Sequence, residues 1–212
     1  MTEVSMHLQR IEREGYAIEL WMPDAQQVQQ QYYIQKAAQP ATPFPHWTRL
    51  WPASLALTDF LFRNTRYIAG KNVLELAAGL GLPSLLAARY ANTVYCSDYL
   101  PEAITVINQS AAHLALRNFQ CDVLNWHQLP ENLAAEVLLM SDVNYDPEEF
   151  KQLYAVFSRF LQNGATILLT TPQRLMAKQF IERLLPWCQL QETAFIPSPD
   201  GEQAVSILVL HL

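Results

Sequence analysis

Residues 73–83, Val73-Leu74-Glu75-Leu76-Ala77-Ala78-Gly79-Leu80-Gly81-Leu82-Pro83, decide the fold. A short apolar run reads as a buried parallel strand. Two glycines, one residue apart, follow as a tight turn, and Pro83 stands where the first turn of a helix accepts proline. The next apolar run closes about 20 residues on with an acid, Asp98. Strand, glycine turn and helix followed at that interval by an acid is the arrangement with which α/β sheets hold an adenosine-type cofactor. The glycines let a ligand approach the backbone, the helix start offers free N–H groups, and the acid accepts bonds from ribose hydroxyls.

Two residues decide between adenosine cofactors. A dinucleotide turn, G-x-G-x-x-G, requires Gly or Ala where this chain has Ser84. Glu75 lies inside the strand just before the turn, where a carboxylate repels a pyrophosphate and attracts the cationic sulfonium and ammonium of S-adenosyl-L-methionine. The block reads E-x-A-x-G-x-G and is similar to the E-x-G-x-G-x-G of class I methyltransferases, with Ala77 in place of the first glycine. The competing reading is a tight turn in another doubly wound fold, such as a dehydrogenase.

The 212 residues are 50% apolar and 16% charged, a globular composition with room for a large core. The net charge of −6, with no Lys/Arg cluster, argues against a nucleic-acid partner. Three cysteines, Cys96, Cys121 and Cys188, suit a reducing compartment, and the five histidines show no metal-ligand spacing with them. Met1 to Ser5 is polar, no run is long enough to span a bilayer, and the expected location is the cytoplasm.

His7 to Ile11 and Tyr16 to Trp21 flank Glu14-Gly15 and predict a hairpin; Asp24 caps either a Gln-rich helix over 25–37 or the start of a solvated arm. The prolines of Pro40 to Pro45 hold the chain extended before a helix from Ser54 to Phe62. Residues 1–50 are therefore an N-terminal extension to a domain spanning 51–212. From Lys71 strands are expected over 72–77, 93–98, 118–122, 135–141 and 165–171, alternating with helices over 83–91, 101–115, 147–162 and 173–185. That alternation gives a doubly wound, mostly parallel sheet. Gln189 to Ile196 and Ala204 to His211, split by Pro197-Ser198-Pro199-Asp200-Gly201, must pair antiparallel. Five parallel strands plus this pair make a seven-stranded Rossmann-like α/β sheet.

Ligands of such sheets bind beyond the carboxyl ends of the strands. The first ends in the turn from Glu75 to Gly81. The second ends in Ser97-Asp98-Tyr99, with Asp98 as ribose acceptor or as helix cap. After the third, Trp126 either stacks on adenine or packs as an ordinary aromatic, and Asp122 or Asn125 bonds the adenine amino group. The fourth ends in Ser141-Asp142-Val143-Asn144-Tyr145-Asp146-Pro147, where substrate meets cofactor. Asp142 is positioned to accept a proton or hydrogen bond from an amine and Tyr145 to orient it, unless both serve only a capped turn. The Asn/Asp-Pro-Pro-Tyr/Phe motif of amino-group methylation on bases is absent. Pro43 to Ser54 carries Phe44, Trp47 and Trp51, a flap over the cofactor with Trp51 beside a sulfonium, or a plug at the sheet edge.

Taken together, W-P-A-S, V-L-E-L-A-A-G-L-G-L-P, S-D-Y, L-N-W, S-D-V-N-Y-D and T-P-Q-R resemble the seven-β-strand protein-lysine methyltransferases, also described as nicotinamide N-methyltransferase-like. The resemblance runs from Pro43 to Arg174. It implies cofactor contacts at Trp51, Ala77-Ala78-Gly79, Asp98, Trp126 and Ser141, and a D-x-x-Y motif at Asp142 and Tyr145. Ala77 for glycine and Asn125 for the common Asp are its departures. The activity implied is transfer of a methyl group from S-adenosylmethionine to an amine, foremost a protein lysine. A small amine as acceptor, a non-catalytic cofactor-binding module and a dehydrogenase are the alternatives. Nothing in the sequence fixes the oligomeric state, and a monomer is compatible with it.

Overall fold

The computed structural model describes residues 4–198 and 201–212. Two strands, β1 (Met6–Arg13) and β2 (Tyr16–Pro23), form the N-terminal hairpin around Gly15, whose φ of 86° permits the turn. The Asp24 side chain accepts from the N–H groups of Gln26 and Gln27 and starts α1 (Ala25–Ala38). After the proline link comes α2 (Pro52–Arg63), then β3 (Asn72–Glu75), α3 (Leu82–Ala87), β4 (Thr93–Asp98), α4 (Pro101–His113), β5 (Phe119–Val123) and β6 (Val137–Ser141). The chain continues through α5 (Phe150–Gln162), β7 (Thr166–Pro172), α6 (Lys178–Leu184), β8 (Cys188–Ser198) and β9 (Gly201–Leu210).

The main sheet has the order β5-β4-β3-β6-β7-β9-β8. Its first five strands are parallel, whereas β7–β9 and β8–β9 pair antiparallel, as the brief connection between the last two strands demands. Pro199 and Asp200 of the expected turn, like Met1 to Glu3 at the polar start, lie outside the described residues. The chain leaves β3 toward β4 and β5, then crosses back to place β6 on the other side of β3. The ligand crevice of a doubly wound sheet opens at that reversal.

Successive side chains of the central strands point to opposite faces. Val73, Leu139 and Leu168 join a core with α2, α3 and the hairpin residues Ile18 and Leu20. Leu74, Leu138 and Leu169 join a second core with Phe157 and Phe160 of α5 and Phe180 of α6. The hairpin is pinned down by Ser110 of α4, which accepts the Trp21 N–H at 2.9 Å, and by Asp59 of α2, which accepts from Arg13 and Tyr16.

Four expected helices are shorter than their sequence patterns, the one over 101–115 by only two residues, ending at His113. The one over 83–91 ends at Ala87 because Gly70 N–H takes the Tyr90 carbonyl and Asn92 N–H the Lys71 carbonyl, turning the chain back into the sheet. The one over 147–162 begins as a single 3₁₀ turn, Pro147–Glu149, capped by Asp146. The one over 173–185 starts late because Gln173 N–H still bonds Ala204 of β9. No described helix is long and apolar enough to cross a membrane.

Candidate active site

A cavity of about 440 Å³ opens at the carboxyl ends of β3, β4 and β6. Its floor is the turn after β3, where Ala77, Gly79 and Gly81 have φ of 55°, 59° and 71°. These left-handed residues fold the turn on itself, with Ala78 N–H donating to the Ser97 carbonyl and Gly81 N–H to the Ala78 carbonyl. Gly79 N–H donates to Asp98 Oδ2 at 2.9 Å, and Leu100 N–H donates to Oδ1 at 3.0 Å. Asp98 is 4% exposed; burial raises its affinity for a proton, and these two N–H groups oppose the rise. It thus stands at the strand end as a fixed acceptor beside the turn, with Tyr99 next to it on the cavity wall.

The roof is the segment after the proline link. Trp47 is buried, and its Cα lies 3.7 Å from where a Cβ on Gly79 would be, so the segment sits directly over the turn. Trp51 Nε1 donates to the His46 carbonyl at 2.8 Å. The Trp51 ring, which the sequence places beside a sulfonium, carries the Arg49 guanidinium 4.2 Å from its centre. One face of that ring therefore already has its cation. The His46 ring packs 5.2 Å from Tyr145, and burial, helped by Arg49, lowers its proton affinity. His46 joins the site although its loop setting gave no sequence signal.

At the third strand end, Trp126 lines the cavity with its ring fixed from behind. Nε1 donates to Glu149 at 2.9 Å and the Trp126 carbonyl accepts from Gln152. Asn125 lines the cavity too, with Oδ1 bound to His127 N–H at 2.9 Å. Asp122 is turned away, accepting from Tyr95 on β4, and takes no part in the cavity wall.

Ser141, Asp142 and Tyr145 line the mouth at the end of β6. Asp142 has a φ of 54°, and its N–H is held by Thr170 of β7. Both its carboxylate oxygens are taken by Arg174, through Nη1 and, at 3.0 Å, Nη2. This bidentate pair is the largest departure from the sequence expectation: Asp142 meets an acceptor as half of a neutral pair, not as a bare carboxylate. Asn144 is fully buried, and its amide has no partner among the described residues.

Glu75 and Gly81, expected to bind the cofactor, do not line the cavity wall. Glu75 is fully buried below the turn, with Oε2 accepting Ser84 N–H at 3.0 Å. Its place in the strand, alternating with Leu74 and Leu76, sends it inward. Gly81 serves packing: a Cβ there would come within 3.3 Å of Cys96 Sγ and Ile107 Cγ1.

The residues of the wall fit S-adenosylmethionine. Small residues at a left-handed turn let a ligand approach the backbone, a buried carboxylate stands at the next strand end, and an aromatic ring is fixed at the third. Comparison with known proteins agrees. A family described as lysine methyltransferase matches residues 3–187. The human histone-arginine methyltransferase METTL23 is 32% identical over 143 residues, 64% of this chain and 75% of that one. Its rat and mouse counterparts are matched over only 55% and 49% of their length. A histidine protein methyltransferase 1 homolog of Dictyostelium discoideum is 28% identical over 58% of this chain and 42% of its own. The N-methyltransferase NodS from Bradyrhizobium japonicum shares the fold, with a TM-score of 0.59 at 14% identity over 76% of this chain and 98% of that one.

Proposed function

The chain belongs to the lysine methyltransferase family and is an S-adenosylmethionine-dependent methyltransferase; on that premise we propose that it methylates a protein side-chain nitrogen, foremost a lysine ε-amino group, at the mouth formed by Asp142, Tyr145 and Arg174. The observation that carries this reading is the engagement of Asp142 by Arg174 on both oxygens. A guanidinium stays protonated in proteins and needs unpaired carboxylates around it. Asp98 is held by two N–H groups, Glu149 by Trp126 and His127, and Asp142 by Arg174. An arginine side chain would find none of these three free, which leaves it Asp146 of the cavity wall, whose Oδ1 accepts the Glu148 N–H. A lysine needs only to lose one proton, from a pKa of about 10.4; Arg49 favours that loss, and the neutral Asp142–Arg174 pair does not oppose it.

In this reading Ala77, Ala78, Gly79, Asp98, Tyr99, Asn125, Trp126, Ser141 and Trp51 hold the cofactor. When bound, it supplies an electrophilic methyl group on a cationic sulfur. Tyr145 and the Asp142–Arg174 pair align the acceptor nitrogen. Alignment of this kind is worth roughly 7–11 kcal/mol in favourable cases. The neutral pair leaves the ammonium free to shed its proton, where a lone carboxylate would retain it. Trp47, Trp51 and His46 close the roof and exclude water. Leu175, 90% exposed, and Met176 follow Arg174 directly, an apolar step suited to a protein segment more than to a small amine.

A second reading, histidine as acceptor, is favoured by the same pair, because an imidazole is mostly neutral near pH 7 and requires no base. Incubation of a lysate with the protein and methyl-labelled cofactor, then hydrolysis and amino-acid analysis of the labelled species, tests the proposal. Labelled methyl-lysine in a protein is the expected result. Methylhistidine would establish the second reading. Methylarginine, or label confined to small molecules, would overturn both.

A further inference from the structure

Glu75 is fully buried, yet a single N–H reaches it. Ser84 N–H donates to Oε2, while Oε1 and the Ser84 hydroxyl have no partner among the described residues. A buried carboxylate that stays ionised accepts two or three such bonds. The groups around Glu75 come from three elements. Ser84 belongs to α3; Cys96, kept a thiol foremost by burial, and Asp98 belong to β4; β6 lays the apolar Leu139 alongside. None of the groups acting on Glu75 is a cation, and burial pushes it up to about 8, Asp98 adding to the rise against Ser84. Asp98 lines the cavity. A charge on the cavity wall is therefore felt at Glu75, and a cation in the cavity acts on it with the opposite sign.

We propose that Glu75 is a specificity-determining residue that reads the charge of the cofactor: a neutral acid beneath the empty turn or the neutral thioether product, it releases its proton to solvent when the cationic donor binds. This rests on the cavity being the cofactor site. The ionised form then attracts S-adenosylmethionine and has no such attraction for S-adenosylhomocysteine, so one buried acid favours the fresh donor over the spent one.

Calorimetric titration of the whole chain and of Glu75→Gln with each ligand, at about pH 7.5 in buffers of different ionisation enthalpy, counts the protons. The Gln variant subtracts protons exchanged by the ligands' own amino group. With S-adenosylmethionine the wild type should release about half a proton more than the variant, and its Kd should fall roughly threefold per pH unit below pH 8. With S-adenosylhomocysteine the two proteins should match. Equal release by wild type and variant, or by the two ligands, overturns the proposal. If the variant does not fold, difference infrared spectra of the wild type replace it: a protonated-carboxyl band that persists with the product and vanishes with the donor is expected, and its persistence with both overturns the idea. A wild type that binds neither ligand defeats the cofactor reading itself, a result distinct from binding without proton release.

Discussion

Ala77 and Asp142 share a backbone conformation that L residues rarely adopt, and they flank the point where the sheet reverses direction. For Ala77 the strain explains why related turns carry glycine here. Ala77→Gly should relieve about 1–2 kcal/mol of it while losing roughly 0.4–1 kcal/mol to the freer unfolded chain. The net expectation is a melting temperature unchanged or raised by about 1–4 °C in calorimetry. Ala77→Val should lower it clearly. For Asp142 the strain is held by Arg174 and Thr170. Asn tolerates the left-handed region, so Asp142→Asn keeps the backbone but breaks the ion pair. It should reduce turnover of the labelled substrate by about 10²-fold or more, with cofactor affinity within roughly twofold. Arg174→Met leaves Asp142 charged and alone, and a lone carboxylate favours the ammonium. The acid limb of the kcat/KM profile should move to higher pH; a decrease in rate with no such movement would leave Arg174 a purely structural role.

At the scale of elements, the hairpin shows how much hangs on one acid of α2. Asp59 accepts from Arg13 Nε at 3.1 Å and from the hydroxyl of the buried Tyr16 at 2.7 Å. Asp59→Ala strands both partners and should cost roughly 2–3 kcal/mol, a decrease of about 5–10 °C in melting temperature, with the cavity intact and cofactor affinity preserved. The hairpin was legible because Glu14-Gly15 sits between two apolar stretches. The five parallel strands were legible because they alternate with helical patterns, and the last two because a brief turn splits two strand-like runs. Helix ends were not, since the helix from Leu82 stops where Gly70 and Asn92 bond to Tyr90 and Lys71, and the helix after β7 is delayed by the bond of Gln173 to Ala204 of β9. Of the site, the turn and the acid at Asp98 could be read because their spacing is local. The role of Arg174 could not: T-P-Q-R marks its position, but its partner is 32 residues earlier on another strand. Glu75 was visible, but strand alternation, which sends it below the turn and off the cavity wall, was not.

For the whole molecule, the groups with shifted proton affinities pull stability in two directions. His46 is held below its ordinary value of 6.5 in the fold, so the unfolded chain binds more protons as pH falls through 6.5. Its contribution is present above that point and lost below it. Glu75 and Asp98 are raised, so the folded chain holds more protons than the unfolded one. For Glu75 this window runs from 4.5 to about 8, and within it stability falls as pH rises. Between pH 6.5 and 8 only the second effect of Glu75 and His46 remains. The melting temperature of the cofactor-free protein should therefore decline from pH 6.5 toward pH 8 by at most one proton's worth, roughly 2–5 °C per unit, and below 6.5 the opposing effect of His46 should reduce that slope. Glu75→Gln should flatten that decline and, because the Glu75 window reaches down to 4.5, should also remove the stability gained there as pH falls. Saturating S-adenosylmethionine should flatten it as well, since the acid beneath an occupied turn has already given up its proton; a slope that persists in the Gln variant would place the buried proton on a different residue.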